Sequence, residues 1–350
     1  MRMIQEDEML GADEVEDVKG VGKDSSMSGI ARVRRSVGLD RYSGIYVAIA
    51  LIVMFSVWEP TKFGTVQNAR IIASSGAITG ILTLGLLFPL IANVFDISGA
   101  ATMTLSVSLV GQLQSALHLN AALAVLITLS VGALVGIVNA IIITRFHVQP
   151  IIATLGMSSI LAAMAFWVSG ANTILYGISG AFDKVGSATI LTIPITVFYL
   201  VAVAILLWYV LDHTPLGRYL YATGANEQAT RLSGLNTIRF KWTALITNGM
   251  LAALAGIILT MEQGAAPYDA GTPYLLPAFA VAFLGSTQVK PGRFNVWGTL
   301  VALYLLAIAE KGFQLQYPAL PWIADLVEGV ALIVAVAVGA RAGRRSSWRL

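Results

Sequence analysis

Residues 121–144 read AALAVLITLSVGALVGIVNAIIIT, and none of these 24 residues is charged. A helix needs about 20 predominantly apolar residues to cross the hydrocarbon core of a bilayer, so this stretch predicts a membrane-spanning helix. The whole chain has the same character. Hydrophobic residues make up 57% of the 350 residues and charged residues 12%, against about 25% charged residues in an average soluble domain. The composition therefore predicts an integral membrane protein with many spans.

Further apolar runs of similar length make this an all-α polytopic membrane protein, with about ten transmembrane helices expected. The third and eighth runs are rich in Gly, Ser, Thr or Pro, so we expect broken helices there. Two GxxxG patterns, at residues 76–80 and 132–136, predict close helix–helix packing. No repeat of fixed period is evident in the sequence. The ten predicted spans are residues 43–58, 71–94, 97–117, 121–144, 150–170, 189–211, 240–261, 274–288, 294–312 and 322–340.

The distribution of basic residues predicts the orientation in the membrane. Cytoplasmic segments carry an excess of Lys and Arg. With the N-terminus inside and ten spans, 18 of the 22 Lys and Arg residues fall in cytoplasmic segments. We therefore expect both termini in the cytoplasm. The predicted cytoplasmic segments are residues 1–42, 145–149, 212–241, 289–293 and 341–350.

The two ends of the chain differ in composition from the predicted transmembrane domain, residues 42–340. Residues 1–41 hold nine of the nineteen acidic residues and lack the early apolar core of a signal peptide. We interpret them as a cytoplasmic tail with a basic anchor before the first span, and residues 1–28 as disordered. Residues 341–350 form a short basic cytoplasmic C-terminus. Between the sixth and seventh spans lies the predicted cytoplasmic loop 212–239.

Several kinds of chemistry are missing from the sequence. The chain has no cysteine and three widely separated histidines, so no metal site is predicted. A phosphate-binding G-x-x-x-x-G-K-[ST] motif is also absent, since Gly22-Lys23 is followed by Asp24 and lacks the upstream Gly. We therefore expect no enzymatic activity, no bound cofactor and no nucleic-acid partner.

The predicted cytoplasmic loop contains a polar segment, GRYLYATGANEQATRLSGLN, at residues 217–236. Asn226 suits a helix N-cap, and Glu227 places negative charge in the first turn. Gly234 suits the left-handed position that ends a helix. These signals predict a helix over residues 227–233, which is too short to be stable alone in water.

This short helix is predicted to present an apolar face and a separate charged face. Ala229 and Leu232 are three residues apart and form a small apolar face, while Glu227 and Arg231 are spaced to pair on another. The helix therefore indicates either a docking element for a partner or an ordinary loop between spans that contains one helical turn.

The loop resembles the cytoplasmic loop of permeases in the ribose-type ABC sugar importer family. The resemblance is carried by the lead-in Thr214-Pro-Leu-Gly-Arg218, the Gly-Arg-Tyr at 217–219, and the core Asn226-Glu-x-Ala-Thr-Arg-Leu-Ser-Gly234. Residues 148–156, VQPIIATLG, are similar to the family's segment after the fourth span. Residues 284–287 and 292–300 resemble its Gly-rich turn and ninth span. The resemblance extends from about residue 70 to residue 340.

The resemblance implies an ABC importer permease fold in the bacterial plasma (inner) membrane. It also implies that the loop is a coupling helix, which docks into a cleft of a separate ATPase subunit that binds ATP and Mg²⁺. An extracytoplasmic sugar-binding protein and a second permease copy or paralogue would complete the complex in the lipid bilayer. The candidate coupling residues are Gly224, Asn226, Glu227, Ala229, Arg231, Leu232, Ser233 and Gly234.

A second group of polar residues lies at membrane depth, where polar side chains should face protein or water. The segment from Asn93 to Gly99 resembles the family's Gly-Ile-Asp-Leu-Ser sequence. Asp96 is interpreted either as the cap of the third helix or as part of the translocation pathway. In-membrane amides act either as helix–helix contacts or as substrate contacts. The candidate pathway residues are Asn93, Asp96, Ser98, Thr102, Thr104, Ser106, Gln112, Asn139 and Asn248.

The sequence thus predicts the membrane subunit of an ATP-driven importer of a simple sugar, such as a ribose-like monosaccharide or a related polyol. One alternative is a branched-chain amino-acid or nucleoside permease of the related type. Another is an ion-coupled carrier, which would use ionisable residues within its spans as relays. The residues available for such a relay are Asp96, Glu262, Glu310, Asp325 and Glu328.

Overall fold

The computed structural model describes residues 39–320 and 322–346. Most of the predicted acidic tail and the last four residues of the basic C-terminus lie outside this range, so the predictions for them are not addressed by the structure. The described residues form an all-α bundle with one short β-hairpin, which confirms the predicted fold class.

Thirteen α-helices are present in the described residues. They are α1 (Leu39–Trp58), α2 (Val66–Ile91), α3 (Gly99–Ser115), α4 (Ala121–Arg145), α5 (Pro150–Ser169), α6 (Gly180–Gly186), α7 (Ile195–His213), α8 (Pro215–Ala225), α9 (Glu227–Leu232), α10 (Thr237–Gln263), α11 (Leu275–Gly285), α12 (Val296–Gln316) and α13 (Ile323–Ser346). Strands β1 (Thr189–Ile190) and β2 (Ile193–Pro194) form an antiparallel hairpin before α7. Within the described part of the chain, α2, α4, α5, α7, α10 and α12 are long and apolar enough to cross a membrane.

Three predicted spans differ from the structure. The sixth was expected to begin at residue 189, but the hairpin occupies its first residues, and the helix begins at Ile195. Leu191 and Thr192 both have positive φ, as a two-residue hairpin turn requires. The eighth span is only the 11-residue helix α11, preceded by a 3₁₀ turn at Thr272–Tyr274. The third span, α3, is a continuous helix of 17 residues rather than a broken one.

The two ends of the bundle can be assigned from contacts between elements. At the α9 end, Ser43 and the backbone N–H of Gly44 donate hydrogen bonds to Oε1 of Gln288, and Lys290 pairs with Asp212. At the opposite end, which we call the hairpin end, Ser74 donates to Glu262 and lies 3.4 Å from Oγ1 of Thr196. These contacts fix the direction in which each long helix runs.

The bundle contains an inverted repeat of helices, although no repeat of fixed period is evident in the sequence. Helix α2 runs from the hairpin end to the α9 end and is followed by α3, α4 and α5. Helix α10 runs in the opposite direction and is followed by α11, α12 and α13. The first helix of each half packs against the second and third helices of the other half, and within each half the second helix packs against the third and fourth. Each half therefore places a short helix, α3 or α11, between longer ones.

The second GxxxG pattern allows close packing between α4 and α10. A Cβ atom added at Gly132 would lie 2.5 Å from the carbonyl oxygen of Gly249. One added at Gly136 would lie 2.5 Å from Cα of Ile246. The prediction of close packing is confirmed at this pattern, since the two backbones approach within a distance that only Gly permits. Helix α10 thereby becomes the central helix, packed against α2, α3 and α4.

Candidate functional site

The predicted helix in the loop is present and has the predicted caps. Helix α9 begins after Asn226, whose Oδ1 accepts a hydrogen bond of 3.0 Å from the backbone N–H of Ala229. At its other end Gly234 has a φ of 84°, and its N–H donates to the carbonyl of Arg231 at 3.0 Å. The N–H of Leu235 donates to the carbonyl of Thr230 at 3.3 Å. These last two bonds form a Schellman motif, so the helix ends are determined locally.

Glu227 pairs with a different residue from the one predicted. Its carboxylate accepts a hydrogen bond of 2.7 Å from Nζ of Lys241 and one of 3.2 Å from Thr237, rather than pairing with Arg231. Partial burial works to raise the pKa of Glu227, but the hydrogen bonds and the charge of Lys241 outweigh it, and the pKa is lowered. The carboxylate therefore stays charged at neutral pH and connects α9 to the first turns of α10.

Helix α8 connects the loop to the bundle. A Cβ atom at Gly224 would lie 1.8 Å from the carbonyl oxygen of Ile91, the last residue of α2, so only Gly fits there. The hydroxyl of Tyr221 donates a 2.6 Å hydrogen bond to the carbonyl of Phe294, and the guanidinium of Arg293 lies 3.6 Å from the centre of the Tyr221 ring. Movement of α8 would therefore displace α2 and the turn between α11 and α12 together.

The apolar face of α9 is uncovered. The side chain of Leu232 is 89% exposed, and Ala229 is also exposed. The predicted apolar face therefore makes no covering contact within the described residues, and its role in docking a partner remains a prediction. Thr230 lies on the opposite side and is buried.

Four of the predicted pathway residues form one buried hydrogen-bonded cluster, which we call the Asp96 cluster. Asp96 Oδ1 accepts from the backbone N–H and the hydroxyl of Ser98, at 2.9 and 2.6 Å. Its Oδ2 accepts from Nδ2 of Asn248 at 2.8 Å, and Nδ2 of Asn139 donates to Oγ of Ser98 at 2.8 Å. All four side chains are at most 2% exposed. The cluster connects the start of α3 to the middle of α10 and the last third of α4.

The other predicted pathway residues take no part in the side-chain hydrogen bonds of this cluster. Thr102 is buried and donates to the backbone carbonyl of Ser98, and Ser106 is buried and donates to the carbonyl of Thr102 in α3. Asn93 is exposed, has a φ of 56°, and lies beside Gly224 at the α9 end. Gln112 is half-buried in the last turns of α3. A role for these residues in the pathway remains a prediction.

Thr104 contacts a polar segment that the sequence analysis did not identify as part of a site. Its Oγ1 accepts a 3.0 Å hydrogen bond from the backbone N–H of Gly271, in the segment between α10 and α11. A Cβ atom at Gly271 would lie 2.0 Å from the carbonyl oxygen of Ala100, so the two backbones are in close contact. The same segment carries Asp269, which accepts a hydrogen bond from Thr272. The sequence signal that could have identified this segment is the Asp-Ala-Gly-Thr-Pro sequence at residues 269–273, which precedes an unusually short apolar run.

The fold and the site together define a class of protein. An α-helical bundle built from an inverted repeat of membrane-spanning helices is an architecture found in many membrane transporters. A family model described as branched-chain amino acid transport system / permease component matches residues 68–336. The chain belongs to this family, which comprises membrane permease subunits of ABC importers.

Curated relatives match most of the chain. It is 31% identical over 293 residues to the ribose import permease protein RbsC of Escherichia coli strain K12, covering 83% of this chain and 90% of the relative. It is 29% identical over 304 residues to the fructose import permease protein FrcC of Rhizobium meliloti, covering 84% and 83%. It is 27% identical over 277 residues to the D-allose transport system permease protein AlsC of Escherichia coli strain K12, covering 79% and 84%. No solved structure matches the chain.

Proposed function

We propose that this chain is the transmembrane subunit of an ATP-driven importer that moves a simple sugar into the cytoplasm. The observation that carries the proposal is the exposed Leu232 on α9, which packs against α10 and α8, while α8 contacts α2 and the turn between α11 and α12. A partner that pushes on this helix would move three parts of the bundle at once. An ATPase subunit, which would bind ATP and Mg²⁺ itself, fits this role.

The complex would contain further subunits. A sugar-binding protein would deliver substrate at the hairpin end, and a second copy of the permease or a paralogue would form the other half of the pathway. Binding of the loaded receptor and of ATP would shift the dimer between its two access states. The α9 end would face the cytoplasm, because it carries seven of the 11 basic residues between residues 42 and 320. These residues are Arg145, Arg218, Arg231, Arg239, Lys241, Lys290 and Arg293.

The choice of a sugar rests on the relatives, whose names specify ribose, fructose and D-allose. The description of the family model favours a second candidate, a branched-chain amino acid. An ion-coupled carrier is disfavoured by geometry. Four of the five candidate relay residues, Glu262, Glu310, Asp325 and Glu328, lie towards the hairpin end. The fifth, Asp96, has both carboxylate oxygens hydrogen-bonded to Ser98 and Asn248, so these five residues do not provide the groups at successive depths that a proton relay needs.

Reconstitution with the cognate ATPase and binding protein tests this function. Proteoliposomes are loaded with ATP or with a non-hydrolysable analogue, and uptake of labelled ribose, fructose, D-allose and leucine is compared. We expect receptor-dependent uptake of at least one of the sugars with ATP only. Uptake of leucine alone would support the second candidate. Uptake driven by an ion gradient without the ATPase would contradict the proposal.

Single cysteines test the orientation, since the chain has no native cysteine. Ser187 and Ser233 are both exposed, at the hairpin end and the α9 end respectively. In intact cells an impermeant thiol reagent should label Ser187→Cys and should label Ser233→Cys only after the membrane is permeabilised. The reverse pattern would place the α9 end outside.

A further inference from the structure

A groove opens on the face of the bundle formed by α3, α5 and the segment before α11. Its volume is about 380 Å³, within the range of about 300–1,000 Å³ typical of small-molecule sites. Most of its surface is apolar, but six side chains bring hydroxyl or carboxylate groups to it. These are Thr104, Ser158, Ser159, Tyr268, Asp269 and Thr272.

The groove lies at the depth of the membrane-spanning helices. Ser158 and Ser159 lie in the middle of α5, which spans Pro150–Ser169. On the opposite wall, Gly271 is hydrogen-bonded to Thr104, and α3 continues from there to Ser115 at the hairpin end. Eleven residues of helix at 1.5 Å each place this contact about 16 Å from that end of α3. The segment between α10 and α11 therefore dips into the bundle.

Asp269 is exposed on this segment, which is incompatible with a lipid-facing surface. A charged side chain near the centre of a bilayer costs about 2.5–3.5 kcal/mol even on insertion scales, so such residues face water or protein. Its Oδ1 accepts the hydroxyl of Thr272, which orients the carboxylate. Asp269 also borders a second cavity, of about 460 Å³, on the other side of the segment. The carboxylate thus lies between two spaces that water could fill.

We propose that this groove is a sugar-contacting wall of the translocation pathway, with Asp269 and Tyr268 as the residues that set its specificity. The inference rests on the proposed function. Asp269 would accept hydrogen bonds from sugar hydroxyls, and the ring of Tyr268, 44% exposed, would pack against the apolar face of the sugar ring. A second permease copy would cover the open side.

Ser158 and Ser159 add further hydrogen-bond acceptors to the groove. The hydroxyls of Ser158 and Ser159 donate to carbonyls of their own helix at 2.8 and 3.4 Å, so their oxygens remain available as acceptors. A groove that offers hydrogen-bond acceptors and two aromatic rings, those of Tyr268 and Phe166, suits a neutral, hydroxyl-rich ligand. It offers no cationic side chain for the carboxylate of an amino acid.

Substitution of Asp269 tests the role of the carboxylate. In the complete reconstituted importer, Asp269→Asn should reduce sugar uptake at least tenfold, while the thermal stability and the binding of the ATPase stay as in the wild type. Asp183→Asn is the matched control, because Asp183 lies on α6 outside the groove and its change should leave uptake unaltered. Uptake unchanged in Asp269→Asn would overturn the proposal, as would equal losses in both variants.

Cysteine labelling tests the groove independently of transport rate. A hydrophilic methanethiosulfonate reagent should react with Ser159→Cys, and the transported sugar should slow the reaction. Leu206→Cys, on α7 and 60% exposed in the wild type, is the lipid-facing control and should not react. No reaction at Ser159→Cys, or no protection by sugar, would contradict the assignment of the groove to the translocation pathway while leaving the proposed function intact. Import of leucine without any sugar would overturn both.

Discussion

Replacing Leu232 with Glu should abolish ATP-driven uptake while leaving the membrane domain folded. Leu232 is 89% exposed and contributes little to the stability of the bundle. In the proposed complex its side chain enters an apolar cleft of the ATPase, where a carboxylate would be buried without a partner. Loss of such a contact costs about 2 kcal/mol or more, which weakens binding about 30-fold or more.

Leu191 provides a matched control for this substitution. It is also 89% exposed, but it lies in the turn of the β-hairpin at the other end of the bundle. Leu191→Glu should therefore co-purify with the ATPase as well as the wild type does. The measurement is the amount of ATPase retained by each purified permease, together with receptor-stimulated ATP hydrolysis. Wild-type retention and stimulation with Leu232→Glu would show that α9 is not the coupling element.

The caps of α9 could be predicted because they depend on local sequence. Asn226 and Gly234 determine the ends of the helix through bonds within a few residues, and the sequence shows both. The partner of Glu227 could not be predicted in the same way. Lys241 lies 14 residues along the chain and reaches Glu227 only because α10 starts beside α9. The spacing of Arg231 gave a local alternative that the tertiary structure overrides.

Sequence periodicity was also insufficient to predict the structure of α11 and of the segment before it, both of which border the groove. The run 274–288 is apolar as far as Gly285, so hydropathy predicts an apolar segment there but not the depth at which it lies in the membrane. Its helix is only 11 residues long because the preceding segment dips to meet α3 and a turn with positive φ at Val289 and Gly292 follows. Asp269 therefore lies at membrane depth although it falls in a predicted loop. Among the candidate pathway residues, Thr104 alone lines this groove.

The Asp96 cluster is expected to give the largest loss of stability on a single substitution. Asp96→Leu removes the acceptor of three hydrogen bonds and leaves the donors of Ser98 and Asn248 buried without partners. Each buried unsatisfied group costs about 1–3 kcal/mol, so the loss should be about 3 kcal/mol or more. The double variant Asp96→Leu with Asn248→Leu should be no less stable than Asp96→Leu alone, since it removes one of the unpaired donors.

Asp96→Asn separates the structural role of this cluster from a role of its charge. The new amide keeps an acceptor for Ser98, and the amide of Asn248 can turn to present Oδ1, which has no hydrogen-bond partner in the wild type. The stability loss should therefore be about 1 kcal/mol, because neutral hydrogen bonds replace charge-assisted ones. Thermal unfolding of the purified variants measures this difference, and uptake is measured alongside. If Asp96→Asn is as stable as expected but transports nothing, the carboxylate acts in translocation. If it both folds and transports, Asp96 serves to join α3 to α10.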